Sequence, residues 1–158
     1  MAKKAANKDK GEIVNDFKAE KKAGKKLKEG GIRAWMMFEV LAITEAAAKN
    51  SLEQHLEMLC KEKNVTVFRK AFHPVQKVDK PLRDIQTAYS YVAEVELVSE
   101  TLDRLASIAM NYAPSGLEII SPEKISIDMG EAQGILNSIS EMMHRFVAAG
   151  AGGVIVKT

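Results

Sequence analysis

The feature that most constrains the fold of this chain is an apolar run at residues 32–43, I-R-A-W-M-M-F-E-V-L-A-I. In a strand, successive side chains point to opposite faces of the sheet. One face would carry Ile32, Ala34, Met36, Phe38, Val40 and Ala42, and the other would carry Arg33, Trp35, Met37, Glu39, Leu41 and Ile43. Because both faces are largely apolar, the run predicts a strand that is covered on both sides. Its methionines and alanines also permit a helix, and that alternative stays open at this point.

The residues after this run predict one helix and two strands. The helix begins at Asn50 or Ser51, either of which is a suitable N-terminal cap. Its apolar stripe consists of Leu52, Leu56 and Leu59. Alternating apolar residues predict strands at 65–72 and 89–98, whereas prolines and charges between them predict a loop at 73–88.

A second helix, a fourth strand and a third helix complete the pattern. Ser99 or Thr101 begins the second helix, and a short strand follows at residues 117–120. Asp128 caps a third helix at roughly 130–149. The apolar positions of the third helix are Ile135, Leu136, Ile139, Met142, Met143, Phe146 and Val147. Because that stripe is wide, we expect this helix to be well buried.

The order of these elements predicts an α+β domain. Its first six elements follow the β-α-β-β-α-β pattern of the ferredoxin-like fold, to which the third helix and an edge strand at 154–156 are added. That fold leaves one face of the sheet open. Since the first strand is apolar on both faces, we expect either the third helix or a second subunit to cover the open face.

Charge divides the chain into two parts. Residues 1–31 contain ten Lys and five Asp or Glu, and they have few large apolar side chains, so we expect a basic flexible tail. Residues 32–158 contain 13 Lys or Arg and 16 Asp or Glu, and we expect them to form a single ferredoxin-like domain. The tail is therefore +5 and the domain −3, which together give the net charge of +2.

The motifs of the chain favour a non-catalytic protein without a cofactor. Gly150 to Thr158 lacks the glycine directly before lysine that a phosphate loop needs. Glu141 and His144 form a single E-x-x-H pair, whereas a di-metal bundle needs two. Cys60 is expected to be a buried small hydrophobe. With one cysteine, no long apolar segment and no secretory signal, we expect a cytoplasmic protein that does not bind membranes.

The lysines of the tail suggest contact with nucleic acid, because Lys-rich arms neutralise phosphates and release counterions. Five interspersed acidic residues weaken this interpretation, and a merely solubilising tail stays open as the alternative. The predicted nucleic-acid-binding residues are Lys3, Lys4, Lys8, Lys10, Lys18, Lys21, Lys22, Lys25, Lys26 and Lys28. Tyr89 and Tyr91 faintly resemble the base-stacking residues of RNA-recognition modules, but they share a face with Val95 and Leu97 and are expected to lie in the core.

Three stretches of the domain resemble small uncharacterised archaeal proteins with a ferredoxin-like core. They are S-L-E-Q-H-L-E-M-L-C-K-E-K at 51–63, N-Y-A-P-S-G-L-E-I-I-S-P-E-K-I at 111–125 and M-H-R-F-V-A-A-G-A-G-G-V-I-V at 143–156. This resemblance implies a fold but no activity. The topology is also similar to ACT-type regulatory domains, which pair through their sheets and bind small metabolites, although no glycine-bearing turn follows the first strand at 44–48.

Three functional hypotheses follow from the sequence. The leading one is a non-catalytic binding or assembly module that forms homo-oligomers through its sheet face or third helix and contacts RNA or the ribosome through its tail. The alternative is an ACT-like homodimer that senses a metabolite. The third is an enzyme that brings together His73, Cys60, Asp84 or Glu141 by folding, which no spacing in the sequence supports.

Overall fold

The four strands expected between residues 32 and 120 lie side by side within a larger antiparallel sheet. A computed structural model describes residues 5–7 and 10–150. The strands are β1 Ala5–Asn7, β2 Lys10–Asn15, β3 Ile32–Ala42, β4 Val65–Phe72, β5 Gln76–Leu82, β6 Ile85–Ser99 and β7 Gly116–Ser121. Six of them follow the order β1-β2-β4-β6-β3-β7, and β5 pairs with β6 outside this path. All the pairings are antiparallel.

In the described residues four helices accompany the sheet, namely α1 Phe17–Lys28, α2 Glu45–Cys60, α3 Leu102–Tyr112 and α4 Met129–Ala148. Each begins after a residue whose side-chain oxygen accepts hydrogen bonds from backbone N–H groups of the first turn. These caps are Asp16, Thr44, Thr101 and Asp128. Caps at Thr101 and Asp128 were predicted, but α2 begins earlier than Asn50 because Thr44 caps an alanine-rich first turn.

The sequence predicted the mixed class correctly but not the complete sheet. The full strand order differs from the four-stranded ferredoxin-like order, because β1 and β2 extend the sheet beyond β4 and β5 adds a further pairing. The predicted loop at 73–88 is wrong, since β5 and the start of β6 form a hairpin there. The exposed charged residues of this segment leave no apolar alternation that would predict a strand. The hairpin therefore depends on backbone pairing between β5 and β6.

The main core lies between one face of the sheet and the helices α2 and α3. On β3 this face consists of Ile32, Ala34, Met36 and Phe38, all at most 3% exposed, which confirms the strand prediction for the apolar run. The helices contribute Leu52, Leu56, Leu59, Leu105 and Ile108. Tyr91 is buried in this cluster and Tyr89 packs against it, so the expectation that both belong to the core is confirmed.

The N-terminal segment covers part of the second face of the sheet. β2 pairs with β4, and α1 packs against β4 and β6. On that face Thr66 and Val98 are buried, and Val98 Cγ1 lies close to Gly31. Residues 10–28 are therefore a strand and a helix and not the flexible tail that their lysine content suggested, because backbone pairing compensates for their few apolar side chains.

The third predicted helix, α4, does not cover this second face. It packs on α3, where the Glu131 carboxylate accepts hydrogen bonds from the backbone N–H groups of Leu102, at 2.9 Å, and Asp103, at 3.4 Å. Within the described chain none of its residues is buried. The expectation that this helix is well buried is therefore wrong. The predicted edge strand at 154–156 lies outside the described residues.

Candidate partner-binding surfaces

The first candidate surface is the lysine-rich side of α1, called here the basic helix surface. Its exposed members are Lys18, Lys21, Lys22, Lys25 and Lys28. Lys26 differs from them, because its side chain is 11% exposed and its Nζ lies 2.6 Å from Oε1 of Glu100. Lys25 faces Glu29 at 3.9 Å on the exposed side of the helix, where such pairs contribute little. The helix therefore presents five cations in one fixed array.

The remaining predicted nucleic-acid-binding lysines are distributed differently. Lys10 is the first residue of β2. Lys3, Lys4 and Lys8 lie outside the described residues. The structure thus places six of the ten predicted lysines on one helix, five of them exposed, and the binding of nucleic acid by any of them stays a prediction.

The second candidate surface is a charged network on the second face of the sheet. Glu96 is its centre, because it lies opposite Trp35 of β3 and Arg69 of β4 and is only 9% exposed. Its Oε2 accepts hydrogen bonds from Nε of Arg33, at 3.1 Å, and from the same guanidinium's NH2 group. Its Oε1 accepts from Arg69 at 2.8 Å. Burial works against the charged form of Glu96, but the two arginines outweigh it and lower the pKa of this carboxyl.

Glu94 forms the second half of this network. Trp35 Nε1 donates to its Oε2 at 2.9 Å, and Nε2 of His73 lies 2.7 Å from its Oε1. The hydrogen bond from Trp35, followed by that from His73, lowers the pKa of Glu94. Because both arginines are already bonded to Glu96, the network offers no free guanidinium to a phosphate. It is better explained as a connection between β3, β4 and β6 than as an anion site.

A further polar cluster connects the end of α2 to α3. Tyr112 donates its hydroxyl hydrogen to Oε1 of Glu62 at 2.8 Å, and the guanidinium of Arg104 bonds the other oxygen of that carboxylate. Arg104 Nε also donates to the carbonyl of Lys63 at 2.9 Å. Burial and the neighbouring Glu62 carboxylate raise the pKa of Tyr112 to about 12. Sequence reasoning missed this cluster, because its members are more than 40 residues apart.

The structure does not bring the candidate catalytic residues together. His73 pairs with Glu94, whereas Cys60 has Lys70 Nζ at 3.8 Å from its Sγ. Cys60 is exposed, so the expectation of a buried thiol is wrong; the leucine stripe of α2 occupies the buried side instead. Asp84 and Glu141 are also exposed. Among residues 5–7 and 10–150, no group of three His, Cys, Asp or Glu side chains could hold a metal ion.

The third candidate surface runs along α4 and is called here the α4 seam. It consists of Met129, Ala132, Leu136, Ile139, Met143 and Phe146. The five large side chains of the seam are all exposed, from 43% at Ile139 to 87% at Met129. Monomeric proteins rarely expose contiguous apolar patches of this kind. The seam is therefore the described surface most suited to an apolar partner.

The fold and its surfaces define the class of protein. The chain is a mixed α/β protein with an open antiparallel sheet, four helices in its described part and an exposed apolar helix. A family model matches residues 33–158, and the chain belongs to the MJ0538 family. No protein of curated function and no solved structure matches it. None of the described helices is both long and apolar enough to span a bilayer.

Proposed function

We propose that this chain is a non-catalytic assembly module that binds a second copy of itself through the α4 seam. The observation that supports this proposal is the contrast between the composition and the burial of α4. The helix has 20 residues and a strong apolar stripe, yet none of its residues is buried in the described chain. Burying exposed apolar side chains stabilises an interface at roughly 25 cal/mol per Å².

The test compares two adjacent substitutions in the full chain. Leu136→Glu places a charge in the seam, and Asn137→Glu places the same charge on the polar side of the helix. Analytical ultracentrifugation over a range of concentrations is expected to show a reversible dimer for the wild type and for Asn137→Glu. It is expected to show a monomer for Leu136→Glu, with unchanged circular dichroism. A wild type that stays monomeric at high concentration, or a dimer unaffected by Leu136→Glu, would contradict the proposal.

RNA or ribosome binding through the basic helix surface is the second candidate function. It is favoured by five exposed lysines on one side of a helix that the sheet holds in place. Removal of residues 1–30 would be a poor test, because it would also remove β2 and uncover part of β4. Substitutions that leave the backbone unchanged are therefore preferable.

The matched variants each replace five exposed lysines by glutamine. One changes the basic helix surface, and the other changes Lys61, Lys63, Lys77, Lys80 and Lys124. If the helix binds single-stranded RNA, only the first variant should lose affinity, and the slope of log K against log salt should fall by about 3.5, at roughly 0.7 for each of five phosphate contacts. Equal losses in both variants would indicate non-specific attraction, and no binding by the wild type would reject this function.

We also propose that β3, α2, β4, β6, α3 and β7 form a ferredoxin-like unit to which the other elements are added. The adjacency β4-β6-β3-β7 and the packing of both helices against the main core support it. An experimental structure tests this assignment. The ACT-like alternative, in which copies pair through their sheets, stays a prediction, and a dimer that survives Leu136→Glu would favour it. A cytoplasmic location likewise stays a prediction from the sequence.

A further inference from the structure

The α4 seam has the spacing of a helix-pairing surface. Its members follow one another at intervals of three and four residues from Met129 to Phe146. Such a repeat of 3.5 residues keeps a row of side chains in line with a second helix. At 1.5 Å per residue the row is about 26 Å long. The seam is thus long enough for a helical partner to lie along it.

The seam is separate from the side of α4 that contacts α3. Partly buried residues of α4 include Gly134 and Ser138, and a Cβ at Gly134 would lie 3.3 Å from Oδ1 of Asp103 on α3. With about 100° between successive residues, these positions lie roughly a third of a turn from the seam. Packing of α4 on α3 therefore leaves the large side chains of the seam exposed.

We propose that the second contact is α4 of a second copy, packed antiparallel along the seam; this inference rests on the proposed function. In this register Met129 faces Phe146 of the second copy, Ala132 faces its Met143, and Leu136 faces its Ile139. The smallest residue of the seam thus meets a long, flexible one. A parallel pair would instead place Ala132 against Ala132 and Phe146 against Phe146, which gives layers of very unequal width.

The lack of charged residues at the positions beside the seam also permits pairing of identical copies. The positions that flank the seam are Gln133, Ile135, Ser140, Met142, Val147 and Ala149. None of them is charged, so no like charges meet across the two-fold axis. Antiparallel packing also places the N-terminus of each helix beside the C-terminus of the other, where their dipoles attract.

The area of the seam predicts a weak dimer. From their exposed fractions, the large side chains offer roughly 600 Å² per copy, compared with about 800 Å² per partner in an interface of standard size. We therefore expect a dimer that dissociates on dilution. This expectation distinguishes the α4 pair from an obligate dimer, whose interface is commonly larger and more apolar.

Directed disulfide formation in the full chain tests the orientation. In a Cys60→Ser background, Ala132→Cys and Met143→Cys are made as separate proteins with tags of different mass, and then mixed and oxidised. Antiparallel pairing places the two new thiols in one layer, within the range that a disulfide can bridge. We expect the mixed disulfide to form at least tenfold faster than either homodisulfide. Dilution below the dissociation constant should abolish the difference.

The other outcomes separate the inference from the proposed function. Faster homodisulfides would show a parallel pair and overturn the orientation while leaving assembly through α4 intact. A dimer with neither disulfide would overturn both by showing that another surface is used. A chain that sediments as a monomer at every concentration would also overturn both. Circular dichroism of each variant establishes that the fold is retained.

Discussion

Replacing Glu96 by glutamine should destabilise the protein far more than the same change at a nearby exposed glutamate. Glu96 joins three strands, because it lies on β6 and bonds Arg33 of β3 and Arg69 of β4. Glutamine has nearly the same shape but no charge, and its amide NH2 group cannot accept from a guanidinium. The substitution therefore removes one charge-assisted contact and weakens the other without creating a cavity.

The size of the loss follows from the exposure of the partners. Hydrogen bonds to charged groups contribute about 1.5–3 kcal/mol each when they are well shielded. The two arginine side chains are 38% and 42% exposed, so they regain part of their hydration when the carboxylate is lost. We therefore expect Glu96→Gln to lower the free energy of unfolding by about 2 kcal/mol, which is less than the sum of the two contacts.

The loss should also depend on pH. The pKa of Glu96 is lowered below its ordinary value of 4.5, so its stabilising effect is present above that pH and is lost as the pH falls through the folded-state pKa. The difference between wild type and Glu96→Gln should thus be largest at neutral pH and should shrink on acidification below about 4.5. Glu94 has a lowered pKa as well, but it is present in both proteins and does not affect the difference.

Urea unfolding at one fixed protein concentration, at pH 7 and at several values below 4.5, measures both effects. Glu118→Gln is the matched control, because Glu118 is an exposed residue of β7 opposite Trp35. Exposed substitutions of this kind usually change stability by no more than about 0.5 kcal/mol. Equal effects of the two substitutions, or a difference that does not shrink in acid, would refute the role assigned to Glu96.

The remaining predictions concern the contact between Tyr112 and Glu62 and the stability of α1. Tyr112→Phe removes the hydroxyl that bonds Glu62 and should cost about 1 kcal/mol at neutral pH. Because the pKa of Tyr112 is raised to about 12, wild-type stability should fall between pH 10 and 12 more steeply than that of the variant, and an unchanged slope would contradict this. In the N-terminal region, Gly24→Ala should stabilise by about 0.5–1 kcal/mol, since a Cβ there meets nothing within 4 Å. Gly31→Ala should destabilise by about 1–3 kcal/mol, because its Cβ would lie 2.8 Å from the carbonyl of Lys26. If α1 were unfolded, neither alanine would change the melting temperature in the predicted direction.

Sequence patterns predicted the elements whose signal lies within a short stretch of the chain. The run at 32–43, the leucine stripe of α2 and the cap at Asp128 all concern local periodicity or local hydrogen bonds, and the structure has a strand or helix at each. The hairpin of β5 with β6 was missed, because exposed strands paired through their backbones need no apolar alternation. The N-terminal strand and helix were missed for a related reason, since their stability depends on pairing with β4, about 55 residues away.

The candidate surfaces show a different limit of sequence reasoning. The ion pairs of Glu96 join residues that are 27 and 63 positions apart, so no spacing in the chain could indicate them. What the sequence does contain is the alternation that places Glu94 and Glu96 on the face of Arg33. The alternation along a strand predicts which side chains share a face, whereas the pairing register determines which of them touch.

The apolar stripe of α4 illustrates why periodicity alone does not determine burial. The apolar stripe of α4 is wider than a single contact requires, and two arrangements are consistent with such a stripe. In the first, the helix is enclosed by its own chain. In the second, it packs on its own chain along one side and on another molecule along the other side. In the first arrangement the five large side chains of the seam would be buried in the monomer, but in the described structure they are exposed. The second explains why large apolar side chains of α4 are exposed although the helix packs on α3. The second arrangement also explains why α4, with 20 residues, is longer than α3, with 11 residues. A contact with another molecule can extend along α4 beyond the end of α3. The excess of exposed apolar residues over intramolecular contacts is therefore the property of α4 on which the proposed pairing rests.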